Sequence, residues 1–235
     1  MPRDTVLELR QYTLRGGQRD TLISMFERQF LEPLNAVGAR VLGTFRDLDD
    51  PDRFVWIRGF DDMIARKTAL AAFYEGPIWI AHRTAANATI VDSDNVLLLR
   101  PESPGEGFKS AGEVAGDESI IGANIYYLGD VEPSQFATFF EHNVLPRLSA
   151  AGIRPIATLV SEESTNNYPR LPIRERDRAF IWFTRWANVA AEEAFAGRFS
   201  TWSGWRDSAP ESVLPALMRK PERLRLMPTT RSVLR

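Results

Sequence analysis

"TLISMFERQFLEPLNAVG" (residues 21–38) returns, 114 positions later, as "QFATFFEHNVLPRLSAAG" (135–152). In the first stretch Leu22, Met25, Phe26, Phe30, Leu34 and Val37 recur at helical spacing. That is one apolar stripe, so an amphipathic helix is predicted over 18–37, and Gly38 ends it. In the second stretch the same places hold Phe136, Phe139, Phe140, Val144, Leu148 and Ala151, with Gly152 at the end. Every stripe position stays apolar, so the pattern reads as a repeat.

Working outward from the first helix, "TVLELRQY" (5–12) alternates in the manner of a strand. "ARVLGTF" (39–45) and "RFVWIRGF" (53–60) read as two more strands joined by the turn "DLDDPD". Residues 62–86 read as helical with a break at Gly76-Pro77, and "NVLLLR" (95–100) is a fourth strand. The order is β-α-β-β-α-β. The second half follows it: Tyr12 matches Tyr126, Thr44 matches Thr158, "FVWIRGF" matches "FIWFTRW" (180–186), "WIAHR" (79–83) matches "WSGWR" (202–206), and "LLLRP" (97–101) matches "LRLMP" (224–228). The expectation is a tandem duplication of a split βαβ unit. Repeat 1 spans 1–101, a Gly/Pro/Ser-rich linker 102–118, and repeat 2 spans 119–235 with a long hairpin insertion at 161–177.

Strand three carries Val55 and Ile57 on one face and Phe54, Trp56 and Phe60 on the other. Both faces are apolar, and a large side chain left in water forfeits about 1.5–3 kcal/mol. Two sheets packed face to face answer that cost, so the predicted fold is α+β, two ferredoxin-like repeats closing one barrel around a central cavity.

Composition narrows the chemistry. The 235 residues are 44% hydrophobic and 26% charged, with a net charge of −2. That balance suits a globular protein and gives no reason to expect nucleic acid as partner. There is no cysteine, which excludes disulfides, thiolate catalysis and cysteine metal sites. No signal core or membrane-length apolar run is present, so a cytoplasmic location without membrane attachment is the expectation. Nucleotide-binding glycine loops, nucleophile elbows and zincin motifs are also missing.

The candidate residues concentrate in repeat 1. Glu8, Arg10 and Tyr12 share one face of strand one. Leu7 and Leu9 suit the helix-covered face, which would turn the polar trio toward the barrel. There it forms an internal ion pair, Glu8 with Arg10 or Arg58, or a polar wall that orients a ligand. His82, beside Trp79 and Arg83, reads as a structural group at a helix end, a general base, or a haem ligand. The duplicate has Trp205 at that place, and Gly122 and Asn124 for Glu8 and Arg10, while keeping Tyr126. Any chemistry is therefore expected in one half only. Trp56, Trp79, Trp182, Trp202 and Trp205 are core rings or the walls of a site for a flat aromatic ligand. His142 reads as solvated, "DSDN" (92–95) as a turn into strand four, and the arginines of the 161–177 hairpin as solvated or as a lid. With two histidines in different settings, no metal site is expected.

In "ELRQY", "GARVLGTF", "VWIRGF" and above all "YEGPIWIAHRTAANATIVDSDNVLLLRP", the chain resembles the NIPSNAP family of the dimeric α+β barrel superfamily. The resemblance covers residues 5–101 and extends more loosely to the second half. It implies a ferredoxin-like fold, two units paired across their sheets, and a ligand-sized interior, but no defined reaction. Superfamily neighbours include cofactor-free monooxygenases of aromatic polyketides, haem-degrading enzymes, chlorite dismutases and aldoxime dehydratases. The expectation is a small, partly apolar or aromatic ligand, handled without metal. His82 or Tyr12 would move a proton and Arg10 or Arg58 would steady negative charge. The alternative is a non-catalytic ligand-binding, haem-binding or scaffolding protein. One chain supplies both units, so a monomer with an internal pseudo-dimer, or a homodimer, is expected.

Overall fold

The computed structural model describes residues 4–103, 107, 108, 116, 118–200 and 209–235, with the side chains of 198–200 left out. The chain runs β1 (Val6–Leu14), α1 (Arg19–Met25), a π-helical turn (Phe26–Phe30), α2 (Leu31–Ala36), β2 (Arg40–Asp47), β3 (Arg53–Phe60), α3 (Met63–Tyr74), α4 (Pro77–Thr89) and β4 (Ile90–Pro101). It continues with β5 (Ile120–Tyr127), α5 (Pro133–Phe139), a second π-helical turn (Phe140–Val144), α6 (Leu145–Ala150), β6 (Ala157–Ser161), β7 (Ala179–Trp186), α7 (Val189–Ser200), α8 (Leu214–Met218) and β8 (Glu222–Pro228). The strands are hydrogen-bonded in the order β1-β3-β2-β8-β5-β7-β6-β4, an eight-stranded antiparallel barrel that closes on itself.

The chain divides into two compact units. The first holds Met1–Arg100, Glu162–Glu175 and Leu226–Leu234; the second holds Pro101–Ser161, Arg176–Arg225 and Arg235. Nearly all of the predicted 161–177 hairpin, residues 162–175, and Leu226–Leu234 thus fold with the first unit. Much of the expected linker falls on residues outside the described set.

The predicted helix 18–37 is two α-helices joined by a π turn, and the same holds 114 residues later. Gly38 (φ 90°) and Gly152 (φ 77°) end these helices in the left-handed region, which a Cβ disfavours. Pro77 starts α4 at a position where its missing N–H is no loss. The "DSDN" stretch differs from expectation. It lies inside β4 rather than in a turn before it, with the Asp94 N–H on Asp92 Oδ1 at 2.8 Å. The pairing of β4 with β1 shifts register there, so the local side-chain bond makes an irregularity within the strand.

The first unit's core lies between its sheet and its helices. Phe26 packs edge-on against Phe54 (5.5 Å) and Trp56 (4.8 Å), and Phe30 against Phe73 (5.8 Å). Val6, Tyr12 and Leu14 of β1 join this cluster. The even positions of β1 therefore face the helices, which corrects the expected orientation of Glu8, Arg10 and Tyr12. Leu7 and Leu9 lie on the opposite face beside Ile57, Leu97 and Leu99, also buried. Period-two alternation separates two faces without saying which one meets the helices. The bulk of Phe54, Trp56 and Phe60 settles it, because those rings fill the deeper layer under the helices.

Candidate functional site

The antiparallel register sets Glu8 of β1 opposite Arg58 of β3, and Arg10 opposite Trp56. Arg66 comes down from the first turn of α3, which Asp62 caps by accepting the Ala65 N–H at 2.7 Å. Three guanidiniums converge on one carboxylate. Arg10 Nη1 lies 2.7 Å from Glu8 Oε2, Arg58 Nε donates to the same oxygen at 2.8 Å, and Arg66 Nε donates to Oε1 at 2.7 Å. Arg58 Nη2 is also 2.6 Å from Oε2 but lacks hydrogen-bond direction. Glu8, Arg58 and Arg66 are wholly buried and Arg10 is 1% exposed.

Two hydroxyls complete the cluster. Arg10 Nε donates to Tyr12 Oη at 3.1 Å, and Arg58 Nη1 reaches Tyr74 Oη at 3.4 Å. Aromatic faces supply further negative potential: Arg10 lies over Trp56 (5.6 Å) and Arg58 over Trp56 (5.0 Å) and Phe60 (5.6 Å). Burial by itself would raise the Glu8 carboxyl, but Arg58, Arg10 and Arg66 outweigh it and hold Glu8 well below the usual carboxylate range. Burial raises the Tyr12 hydroxyl against the pull of Arg10. It lowers Arg66, where Glu8 opposes the shift and the neighbouring guanidiniums add to it. One carboxylate against three guanidiniums leaves two positive charges unbalanced in a dry site. Arg66 Nη2 and Trp56 Nε1 are buried donors without partners among the described residues.

The long hairpin roofs this cluster. Asn166 Oδ1 and Asn167 Oδ1 accept from Arg66 Nη1 at 3.1 and 2.8 Å, and Asn167 Nδ2 donates to the Met63 carbonyl. Tyr168 sits 6.3 Å from Tyr74, ring to ring, while Leu171 and Ile173 pack on the core. The amide oxygens hydrogen-bond Arg66 without neutralising it. The hairpin's arginines point elsewhere, Arg170 to Glu75 at 3.3 Å and Arg174 to Asn95 at 3.1 Å.

Of the residues singled out in the sequence, Glu8, Arg10, Tyr12, Trp56 and Arg58 meet in one place. His82 and Trp79 lie apart on α4. Trp79 packs against Tyr74 (5.0 Å) and Phe30 (5.5 Å), and the partly buried His82 ring stands 6.2 Å from Phe30. A haem ligand would need a porphyrin-sized slot against its imidazole. Here Phe30, beside His82, is packed ring to ring against Trp79 and Phe73, so these residues do not fit that group. In the second unit Tyr126 packs on Phe136 (5.1 Å) and Trp182 on Phe140 (5.9 Å). Trp202 and Trp205 lie outside the described residues.

Sequence reasoning missed Arg66, Tyr74, Asn166 and Asn167. A signal for Arg66 existed: Arg66, Ala69, Leu70, Phe73 and Tyr74 form the buried stripe of α3, and an arginine within such a stripe needs a buried partner. The asparagines lie 100 residues away and carried no signal.

The second unit contains a pocket of about 410 Å³. Phe140, Phe180 and Leu145 are among its apolar lining, and Glu102, Glu141 and Arg154 are its charged lining. Among the described residues, no group of three or more His, Asp or Glu could hold a metal ion, and no helix is long and apolar enough to cross a membrane.

Barrel, helix layer and buried charge cluster together describe an α+β barrel protein with one polar half. Residues 7–104 match the model of the NIPSNAP family, so this stretch of the chain is similar to a NIPSNAP domain. A proposed monooxygenase from Lactobacillus acidophilus NCFM is similar in structure, with a TM-score of 0.56 at 13% identity over 96% of this chain and 94% of that one. A second, from Fusobacterium nucleatum, has a TM-score of 0.57 at 10% identity over 97% and 94%. An anthrone oxidase-like protein has a TM-score of 0.59 at 11% identity over 97% and 92%. At such identities the likeness shows the fold alone. Comparison with curated proteins finds no match.

Proposed function

We propose that this chain binds a small, partly apolar or aromatic molecule beside the arginine cluster of its first unit and activates it, without a metal, as an anion. The observation that carries this is the surplus of positive charge: three buried guanidiniums share one carboxylate. A ligand that becomes negative, such as an enolate or phenolate, would be stabilised there far better than in water. Glu8 is saturated by its partners and is a poor base. Tyr12, kept neutral by burial, serves as a donor to the developing oxyanion, while Arg10 and Arg58 lower the ligand's own pKa. Access requires the 162–175 hairpin to lift from α3. Similarity to proteins called monooxygenase and anthrone oxidase-like fits a substrate of this kind.

The same reading takes the fold as two tandem ferredoxin-like repeats, 1–101 and 119–235, joined by the 102–118 linker. It is supported by the two π turns, a rare conformation, which recur 114 residues apart.

Anthrone is the probe. Its ionisation, followed by absorbance against pH, is expected to move to lower pH in the presence of the protein. Arg10→Met and Arg58→Met should abolish the shift, and Tyr12→Phe should reduce it. No shift with the wild-type protein, or an equal shift in all three variants, removes the proposal.

A further inference from the structure

Residues 229–234 fill, in the first unit, a place that among the described residues stands open in the second. Thr229 N–H bonds the Thr44 carbonyl at 2.9 Å. Thr229 Oγ1 donates to Glu27 at 2.6 Å, so Thr44 Oγ1, 2.6 Å away, donates to Thr229. The Arg231 N–H also reaches Glu27 (3.0 Å), and its guanidinium bonds the Glu27 carbonyl (2.7 Å) and pairs with Glu32. Ser232 Oγ accepts the Thr44 N–H, and the Leu234 N–H bonds Leu42. The carboxylate on the first π turn is thus met by a hydroxyl, a backbone N–H and a neighbouring cation.

The second unit repeats the frame. Glu141 stands for Glu27, Thr158 for Thr44, Phe140 for Phe26 and Phe180 for Phe54. Even the backbone bond recurs, from the Glu102 N–H to the Thr158 carbonyl at 3.0 Å. There the likeness stops, because Glu102 occupies the Thr229 position, and a carboxylate cannot donate to Glu141. What remains is the pocket of about 410 Å³.

We infer that this pocket is a second, independent ligand site that takes a small aromatic amine. Two of its lining rings, Phe140 and Phe180, lie 4.9 Å apart and suit a flat apolar body. Glu102 and Glu141 against Arg154 leave one negative charge in excess, so an ammonium group is favoured over a carboxylate. The occupant of the sister site follows the same rule, presenting donors and a guanidinium to Glu27.

The test is calorimetric titration of the full-length protein with tryptamine, indole-3-acetate and indole, three ligands of one shape and different charge. Tryptamine is expected to bind at one site, roughly tenfold more tightly than indole-3-acetate. Glu141→Gln should remove most of that preference and leave indole unchanged. Ser149→Phe, at the pocket wall, should block tryptamine and indole, while Lys67→Ala on the exposed face of α3 in the first unit should change neither. Absence of tryptamine binding, equal affinity for indole-3-acetate, or indifference to both pocket substitutions overturns the inference. The anion site is read with anthrone and its arginine variants, and the pocket with tryptamine and its Glu141 and Ser149 variants, so the two failures are separate.

Discussion

The two units solve the same place in the sheet with opposite chemistry. In the first, Glu8 pairs with Arg58 across the strands and Arg66 descends from the helix. In the second, the cross-strand pair is Gly122 and Thr184, and the helix position of Arg66 is taken by Glu192. Glu192 is buried and bonds Arg223 and, at 3.0 Å, Arg225 of β8. A Cβ on Gly122 would lie 2.9 Å from Thr184 Oγ1 and 3.0 Å from Trp186 Nε1, so the space of the Glu8 side chain holds Trp186 instead. The tryptophan beneath, Trp56 or Trp182, is kept in both.

What differs is where the surplus charge ends. Arg223 is 47% exposed, so water shares its charge, whereas the three arginines around Glu8 have no such outlet. A frame built twice can thus carry a solvated ion pair in one half and a dry, positively charged one in the other. The dry one is the costlier to build and the more useful for stabilising an anion.

That contrast can be broken most forcefully at the carboxylates. Glu8→Gln leaves three buried guanidiniums without a counter-ion and should cost about 3–5 kcal/mol in chemical denaturation, a fall in Tm of roughly 10 °C. Glu192→Gln, with partners that reach solvent, should cost only about 1–2 kcal/mol. Equal losses would erase the distinction between the units. Next, Gly122→Ala forces Thr184 and Trp186 to move and is expected to destabilise by about 1–3 kcal/mol. A neutral result would mean that the second unit has room for a side chain at the Glu8 position.

Acid sharpens the comparison further. The folded state holds Glu8 below its ordinary value of 4.5, so its contribution is complete above that pH and drains away as pH falls toward the folded value. Burial raises Asp4 and Asp47, which act in the opposite sense. The Glu8→Gln variant should therefore show a shallower loss of stability between about pH 4.5 and 2 than the wild type. A parallel loss would show that Glu8 is not held low. The smallest effect is expected from Asn167→Ala, which removes one neutral acceptor from Arg66 and should cost about 0.5–1.5 kcal/mol. Faster amide exchange confined to 162–175 is its signature.

Much of the scaffold was legible in residue order. The apolar stripe of 22–37, its copy and the closing glycines mark the helices, and β3 runs over Arg53–Phe60 as its alternation predicts. The π turns were not legible, since one inserted residue per turn leaves the apolar stripe intact. Glu8 needed a cation, and the sequence offered Arg10 and Arg58 as candidates. It did not offer Arg66, which depends on how α3 lies over the sheet, or Asn166 and Asn167, which depend on where a distant hairpin lands. His82, conspicuous as one of two histidines, turned out to share no hydrogen bond or ring contact with Arg10 or Tyr12 among those described.

By itself, then, the sequence determined which residues alternate, which recur and which charges had to find partners, because periodicity and polarity are properties of the chain. Tertiary structure alone decided which sheet face the helices cover, and so which side of β1 became the charged one. Both faces are apolar enough to be buried, and only the packing of ring volumes between sheet and helices separates them. It also decided that one of two equivalent places is filled by residues 229–234 while the other, among the described residues, stays open, since that turns on which donors reach a carboxylate across space.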